Sequence, residues 1–127
     1  MANKAKVLIV DDDADLVAVM KGTLESKMYD VVVASNGKDG LKKAREESPD
    51  LVILDLMMPI MDGWVFAEEF HKDPATAKIP VVAVSSFSES LGQPFPFEVA
   101  GFIQKPIRPN ELIKMVDQYL KPGLTQS

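Results

Sequence analysis

Cysteine is absent from the 127 residues, which excludes a disulfide scaffold, a thiolate metal site and a cysteine nucleophile. Histidine occurs once, as His71, so zinc centres built on several imidazoles and a Ser-His-Asp triad are hard to assemble. No apolar run approaches the roughly 20 residues of a transmembrane helix. The first such run, Val7-Leu8-Ile9-Val10, stops at Asp11-Asp12-Asp13, which is also too short for a signal-peptide core. The expected compartment is therefore the cytoplasm, with no membrane partner. No repeat of about 20 to 50 residues is visible. Basic residues are the minority, 14 against 19 acidic, for a net charge of −5, which argues against direct nucleic-acid binding and favours a protein partner. Nine Pro and seven Gly are too few for a low-complexity chain, and 46% hydrophobic with 26% charged residues is ordinary for a globular protein. The length suits one domain over 1–127, with a core from about 6 to 120 and a tail at 121–127.

Short runs rich in Val and Ile recur at 6–10, 31–34, 51–54, 80–84 and 101–104. Most lack a period-2 alternation, the pattern of strands buried on both faces of a helix-covered parallel sheet. Segments with helical spacing lie between them. Leu16, Val17, Met20 and Leu24 form one face within 14–28, and Leu41 and Ala44 face inward within 36–47 while Lys38, Lys42, Lys43, Arg45 and Glu46 stay in water. Val65, Phe66 and Phe70 mark a third helix over 62–72, and Leu112, Ile113, Val116, Tyr119 and Leu120 a last one. Breakers at Ser48-Pro49-Asp50, Asp62-Gly63, Asp73-Pro74 and Lys121-Pro122-Gly123 agree with these limits. The alternation predicts a doubly wound α/β domain with a five-stranded parallel sheet. Between 86 and 100, Gly92, Pro94 and Pro96 oppose a regular helix, since an interior Pro costs about 3 kcal/mol. A largely irregular connection is expected there.

In open parallel sheets, function gathers at the carboxyl ends of the strands. Those ends carry Asp11, Asp12 and Asp13, then Asp55, Ser85 and Lys105. A strand order of 2-1-3-4-5 brings them to one pocket. Two carboxylates about 5 Å apart repel by about 3 kcal/mol at an effective dielectric near 20, so a cluster of three calls for a cation. Hard oxygen donors without nitrogen or sulfur select Mg²⁺, Mn²⁺ or Ca²⁺. An ammonium and a hydroxyl beside such a cation suit a phosphoryl group carried on a carboxylate.

With these residues in place, the chain resembles the receiver domain of two-component response regulators, a flavodoxin-like fold. The matching stretches are Val7 to Asp13, Asp50 to Gly63 around Asp55, Ile79 to Ser86, and Gly101-Phe102-Ile103-Gln104-Lys105-Pro106-Ile107. They run in family order and extend over about residues 6 to 120. The resemblance implies that Asp55 is the phosphoacceptor, that Asp12 binds Mg²⁺ directly and Asp11 through water, and that Asp55 and the backbone carbonyl of Met57 complete the metal site. It implies that Lys105 contacts the phosphoryl group, that Ser85 is the hydroxyl that follows it, and that Phe102 is the aromatic of the switch. A cis peptide at Lys105-Pro106 is also implied, which X–Pro bonds tolerate at about 0.5–1 kcal/mol. The partners implied are a histidine kinase or phosphotransfer protein and a downstream protein target. The chain would be a phosphorylation-activated switch rather than a turnover enzyme.

Some positions depart from the family pattern. Ser85 lacks the methyl that restricts a threonine rotamer. Phe102 in place of Tyr removes a phenolic hydroxyl. The unfavourable composition of 86–100 alters a region that commonly contributes to output. Met57 and Phe87, two residues beyond Asp55 and Ser85, are expected to impede an attacking water and slow dephosphorylation. Simpler readings exist for individual residues: an acidic helix start for Asp11 to Asp13, a solvated His71, core-filling Met57, Met58 and Met61, a packing or docking role for Trp64, and a satellite core of Phe87, Phe95 and Phe97. Three other classes compete. A haloacid-dehalogenase-type phosphatase needs a second Asp where Met57 stands, and a flavodoxin-like FMN carrier needs a phosphate loop where three aspartates stand. A pseudo-receiver would keep the fold and act as a phosphorylation-independent interaction module, against which the intact Asp12, Asp55 and Lys105 set speaks.

Overall fold

The computed structural model describes residues 4–56, 63–85 and 100–120, with 63 and 64 described by their backbone. Expectations for Met57, Met58, Met61, Phe87, Phe95, Phe97, the side chain of Trp64, the irregular connection over 86–99 and the tail at 121–127 lie outside the described residues.

Five strands form one parallel sheet: β1 (Lys6–Val10), β2 (Asp30–Ala34), β3 (Leu51–Asp55), β4 (Val81–Ser85) and β5 (Gly101–Gln104). Their order is β2-β1-β3-β4-β5, as expected. The helices are α1 (Ala14–Glu25), α2 (Gly37–Glu47), α3 (Gly63–Lys72) and α4 (Pro109–Tyr119). Every residue of β3 and β4 is buried, because alternate side chains enter two different apolar layers. Val7, Ile9, Ile53, Val82 and Val84 pack with Met20 and Leu24 of α1 and with Leu112 and Val116 of α4. On the other face, Leu8, Val10, Leu54 and Ala83 pack with Leu41 and Ala44 of α2 and with Phe66 and Phe70 of α3. That double coverage explains why the strand sequences show no alternation.

Several local details differ from expectation. Helix α1 ends at Glu25 rather than near Met28, because Met28 takes a left-handed φ of 69° and turns the chain into β2. The turn brings Tyr29 into the core, where its hydroxyl donates to Asp117 Oδ1 at 2.5 Å and lies 3.1 Å from the Leu120 carbonyl. Burial and the Asp117 carboxylate hold the Tyr29 phenol well above its ordinary pKa. Val65 is 45% exposed, and Ala67 takes the inward place beside Phe66 and Phe70. His71 is half-buried rather than solvated: its Nδ1 sits 2.8 Å from the Ala67 carbonyl and its ring meets Phe70 edge-on. Lys43 is half-buried too, its ammonium donating to the Val33 carbonyl at 2.5 Å. Between α2 and the end of α3, Arg45 Nε donates to Asp73 Oδ2 at 2.7 Å. That bond and the Ala75 amide hold the Asp73 carboxyl below its usual range.

Helix α2 approaches the sheet closely at Gly40. A Cβ there would lie 3.0 Å from Phe66 and 3.0 Å from both methyls of Val10, the residue that leads into Asp11. The fold thus packs a helix directly beneath the carboxyl end of β1. No helix among the described residues is long and apolar enough to cross a membrane.

Candidate functional site

The site is assembled by strand ends. Asp55 and Ser85 are the last residues of β3 and β4, one position further than the apolar runs suggested. Asp11 follows β1 directly, its amide continuing the ladder to the Ala34 carbonyl at 3.1 Å. Lys105 follows β5, and its amide donates to the Ser85 carbonyl at 2.9 Å. The central strands are buried end to end, so their terminal polar side chains are nearly buried as well. Asp11 and Asp55 are each 3% exposed and Ser85 1%, whereas Asp12 is open to solvent.

Carboxylate oxygens of Asp11, Asp12 and Asp55 lie within 4.8 Å of one another. Lys105 Nζ stands 3.5 Å from Asp11 Oδ2 and 3.6 Å from Asp55 Oδ2. Each of these attractions is worth about 4.5 kcal/mol at an effective dielectric of 20, and each carboxylate pair repels by about 3.5 kcal/mol. Three negative charges and one positive leave a deficit of two positive charges. Among the described residues the acidic donors at that deficit are hard oxygens, the chemistry that Mg²⁺ prefers. The donor set therefore fits a divalent cation.

The third aspartate of the run does other work. Asp13 caps α1, its Oδ1 accepting from the Leu16 amide at 3.1 Å. Its own amide donates to Asp11 Oδ1 at 2.9 Å. The signal for this was present, since Asp is a preferred N-cap residue just before a helical apolar pattern. Sequence reasoning left Asp13 out of the metal set and offered a helix start for all three acids, without singling out Asp13 as the cap.

Phe102 pairs in register with Ala83 and packs, partly buried, against the layer under α2 and α3. Gln104, the neighbour of Lys105, pairs with Ser85. The Lys105–Pro106 peptide is cis. The structure thus brings Asp11, Asp12, Asp55 and Lys105 together and sets Ser85 on the adjoining strand end. The carbonyl of Met57 lies outside the described residues.

Comparison with known proteins bears on the same features. The response regulator receiver domain matches residues 7–117. The alkaline phosphatase synthesis transcriptional regulatory protein PhoP of Bacillus subtilis is 31% identical over 118 residues, which are 91% of this chain and 48% of that protein. Protein PilH of Pseudomonas aeruginosa is 30% identical over 118 residues, covering 91% of this chain and 98% of its own length. The chain thus spans about half the length of the transcriptional regulators it matches and nearly all of PilH. Among solved structures, the chemotaxis protein CheY4 of Vibrio cholerae superposes with a TM-score of 0.85 at 28% identity, covering 92% of this chain and 99% of that one. The match runs from the first strand into the last helix and takes in every strand end of the acidic site, so the chain belongs to the response regulator receiver domain family.

Proposed function

We propose that the chain is a phosphorylation-activated switch of a two-component phosphorelay, with Asp55 as the phosphoacceptor. The observation that carries this reading is a nearly buried carboxylate at a strand end, 3.6 Å from the Lys105 ammonium and clustered with two further acids. Asp55 attacks the phosphorus of a phosphohistidine on a histidine kinase or phosphotransfer protein. An O–P bond forms, the P–N bond breaks, and the leaving imidazole takes up a proton. Lys105, already between Asp11 and Asp55, supplies a positive charge to the incoming phosphoryl oxygens.

Asp12 and Asp55 would hold Mg²⁺ directly, Asp11 through water, and the Met57 carbonyl would complete the set. When bound, the cation orients the phosphoryl oxygens and offsets their charge. A sensor kinase receiver domain of Pseudomonas aeruginosa with the same fold carries magnesium in its active-site cleft, at 19% identity and a TM-score of 0.83. That likeness is one of fold, and the donor set of this chain carries the assignment.

Ser85 then turns its hydroxyl toward the phosphoryl group, and Phe102 takes up the space this frees, which changes the surface offered to a downstream protein. The acyl phosphate hydrolyses slowly, so the chain acts as a timed switch in the cytoplasm and not as a turnover enzyme. Intact mass after incubation with acetyl phosphate and Mg²⁺ tests the chemistry. The wild type should gain one phosphoryl group and Asp55→Asn none. A wild type that gains nothing would favour the pseudo-receiver.

A further inference from the structure

Of the three aspartates after β1, Asp11 is buried, Asp12 is exposed and Asp13 caps a helix. Asp11 divides its two oxygens. Oδ1 accepts the Asp13 amide at 2.9 Å, and Oδ2 faces Lys105 Nζ at 3.5 Å. The Asp13 amide belongs to a residue held in an extended conformation, at φ −86° and ψ 99°. Two contacts hold that conformation: Asp13 Oδ1 accepts the Leu16 amide at 3.1 Å, and the Asp13 carbonyl accepts the Val17 amide at 2.9 Å. A chain of hydrogen bonds therefore runs from the first turn of α1, through Asp13, to the Asp11 carboxylate.

We infer that Asp13 is a positioning residue: through its helix cap it fixes the amide that orients Asp11 toward the divalent cation, and its own negative charge plays no part in holding the metal. Its carboxylate is spent on the helix N-terminus, where unpaired amides and the helix dipole offset an anion. It also lies outside the set of oxygens within 4.8 Å of one another, which comprises Asp11, Asp12 and Asp55. The inference rests on the metal reading above and adds a requirement to it, namely that metal affinity follows the capping ability of residue 13 and not its charge.

Two substitutions separate these properties. Asp13→Asn keeps a side-chain oxygen for the cap and removes the charge, while Asp13→Ala removes both. Calorimetric titration with Mg²⁺ is run on both and on the wild type, with urea unfolding in EDTA to measure the loss of fold stability separately. Asn should bind Mg²⁺ within about twofold of the wild type, and Ala about fivefold more weakly, as the amide is released in a fraction of molecules. Amide hydrogen exchange at residue 13 should quicken in Ala and stay slow in Asn, a readout that general destabilisation would not confine to this amide. Asp13→Gly, a milder loss of cap, should fall between them and serves if the Ala variant does not fold.

Equal weakening in Asn and Ala would show that charge is what counts and overturn the inference. Unchanged affinity in Ala would overturn it as well. A wild type that takes up no Mg²⁺ would overturn the metal reading and this inference together, which the first titration alone reveals.

Discussion

Replacing Asp55 by Asn should stabilise the metal-free protein even though it abolishes the proposed chemistry. Among the described charged groups, Asp55 has two carboxylates within 4.8 Å and the Lys105 ammonium at 3.6 Å. At an effective dielectric of 20, the two repulsions of about 3.5 kcal/mol outweigh the attraction of about 4.5 kcal/mol by about 2.5 kcal/mol. Asp12 is open to solvent, so its share is screened, which brings the net to about 1–2 kcal/mol. Removing a nearly buried charge works in the same direction. For a domain of this size that corresponds to a rise in Tm of about 3–10 °C. Thermal and urea unfolding in EDTA at neutral pH read it directly. Added Mg²⁺ should then raise the Tm of the wild type more than that of the variant, because a ligand stabilises in proportion to its affinity for the folded state. An Asp55→Asn variant less stable than the wild type in EDTA would refute the electrostatic account of the site.

Three further outcomes follow from the fold. Gly22→Ala should stabilise by about 1 kcal/mol in urea unfolding, since among the described residues nothing lies within 4 Å of a Cβ at this position in α1. Gly40→Ala should instead destabilise by about 1–3 kcal/mol, because its methyl would press on Phe66 and Val10; a neutral result would mean that α2 lifts from the sheet without loss. The Tyr29 phenol is raised in the folded state, so its contribution is complete below pH of about 10 and is lost as pH climbs through the folded-state value. Wild-type stability should therefore fall from about pH 10 upward more steeply than that of Tyr29→Phe, and parallel curves would remove Tyr29 from the account.

Much of this architecture was legible in residue order. Runs such as 51–54 and 81–84 are apolar throughout because both of their faces are covered, and that marked strand identity and sheet type, while the strand order followed from bringing the polar strand ends to one pocket. The acids were legible because a polar residue ending a buried strand lies at the carboxyl edge of the sheet, where chemistry collects. What stayed hidden depends on contacts between distant parts of the chain. Tyr29 reaches Asp117 across 88 positions, and nothing local announces the pair. Gly40 reads as a weak helix residue until Val10 and Phe66 are found against it. Val65 and Ala67 exchange places because the hydrophobicity of a side chain does not report the rotation of its helix. In the run from Asp11 to Asp13, three identical side chains take a buried site position, an exposed one and a helix cap. Composition cannot separate these, since the backbone direction at each residue decides the role.

The central claim is that Asp55 carries the phosphoryl group, and reductive trapping tests it at the level of the atom. Borohydride converts an aspartyl phosphate to homoserine, and peptide sequencing by mass spectrometry locates it. After incubation with acetyl phosphate and Mg²⁺, homoserine is predicted at position 55 and at neither 11 nor 12. Homoserine at another aspartate, or none in a wild type that binds Mg²⁺, would contradict the account.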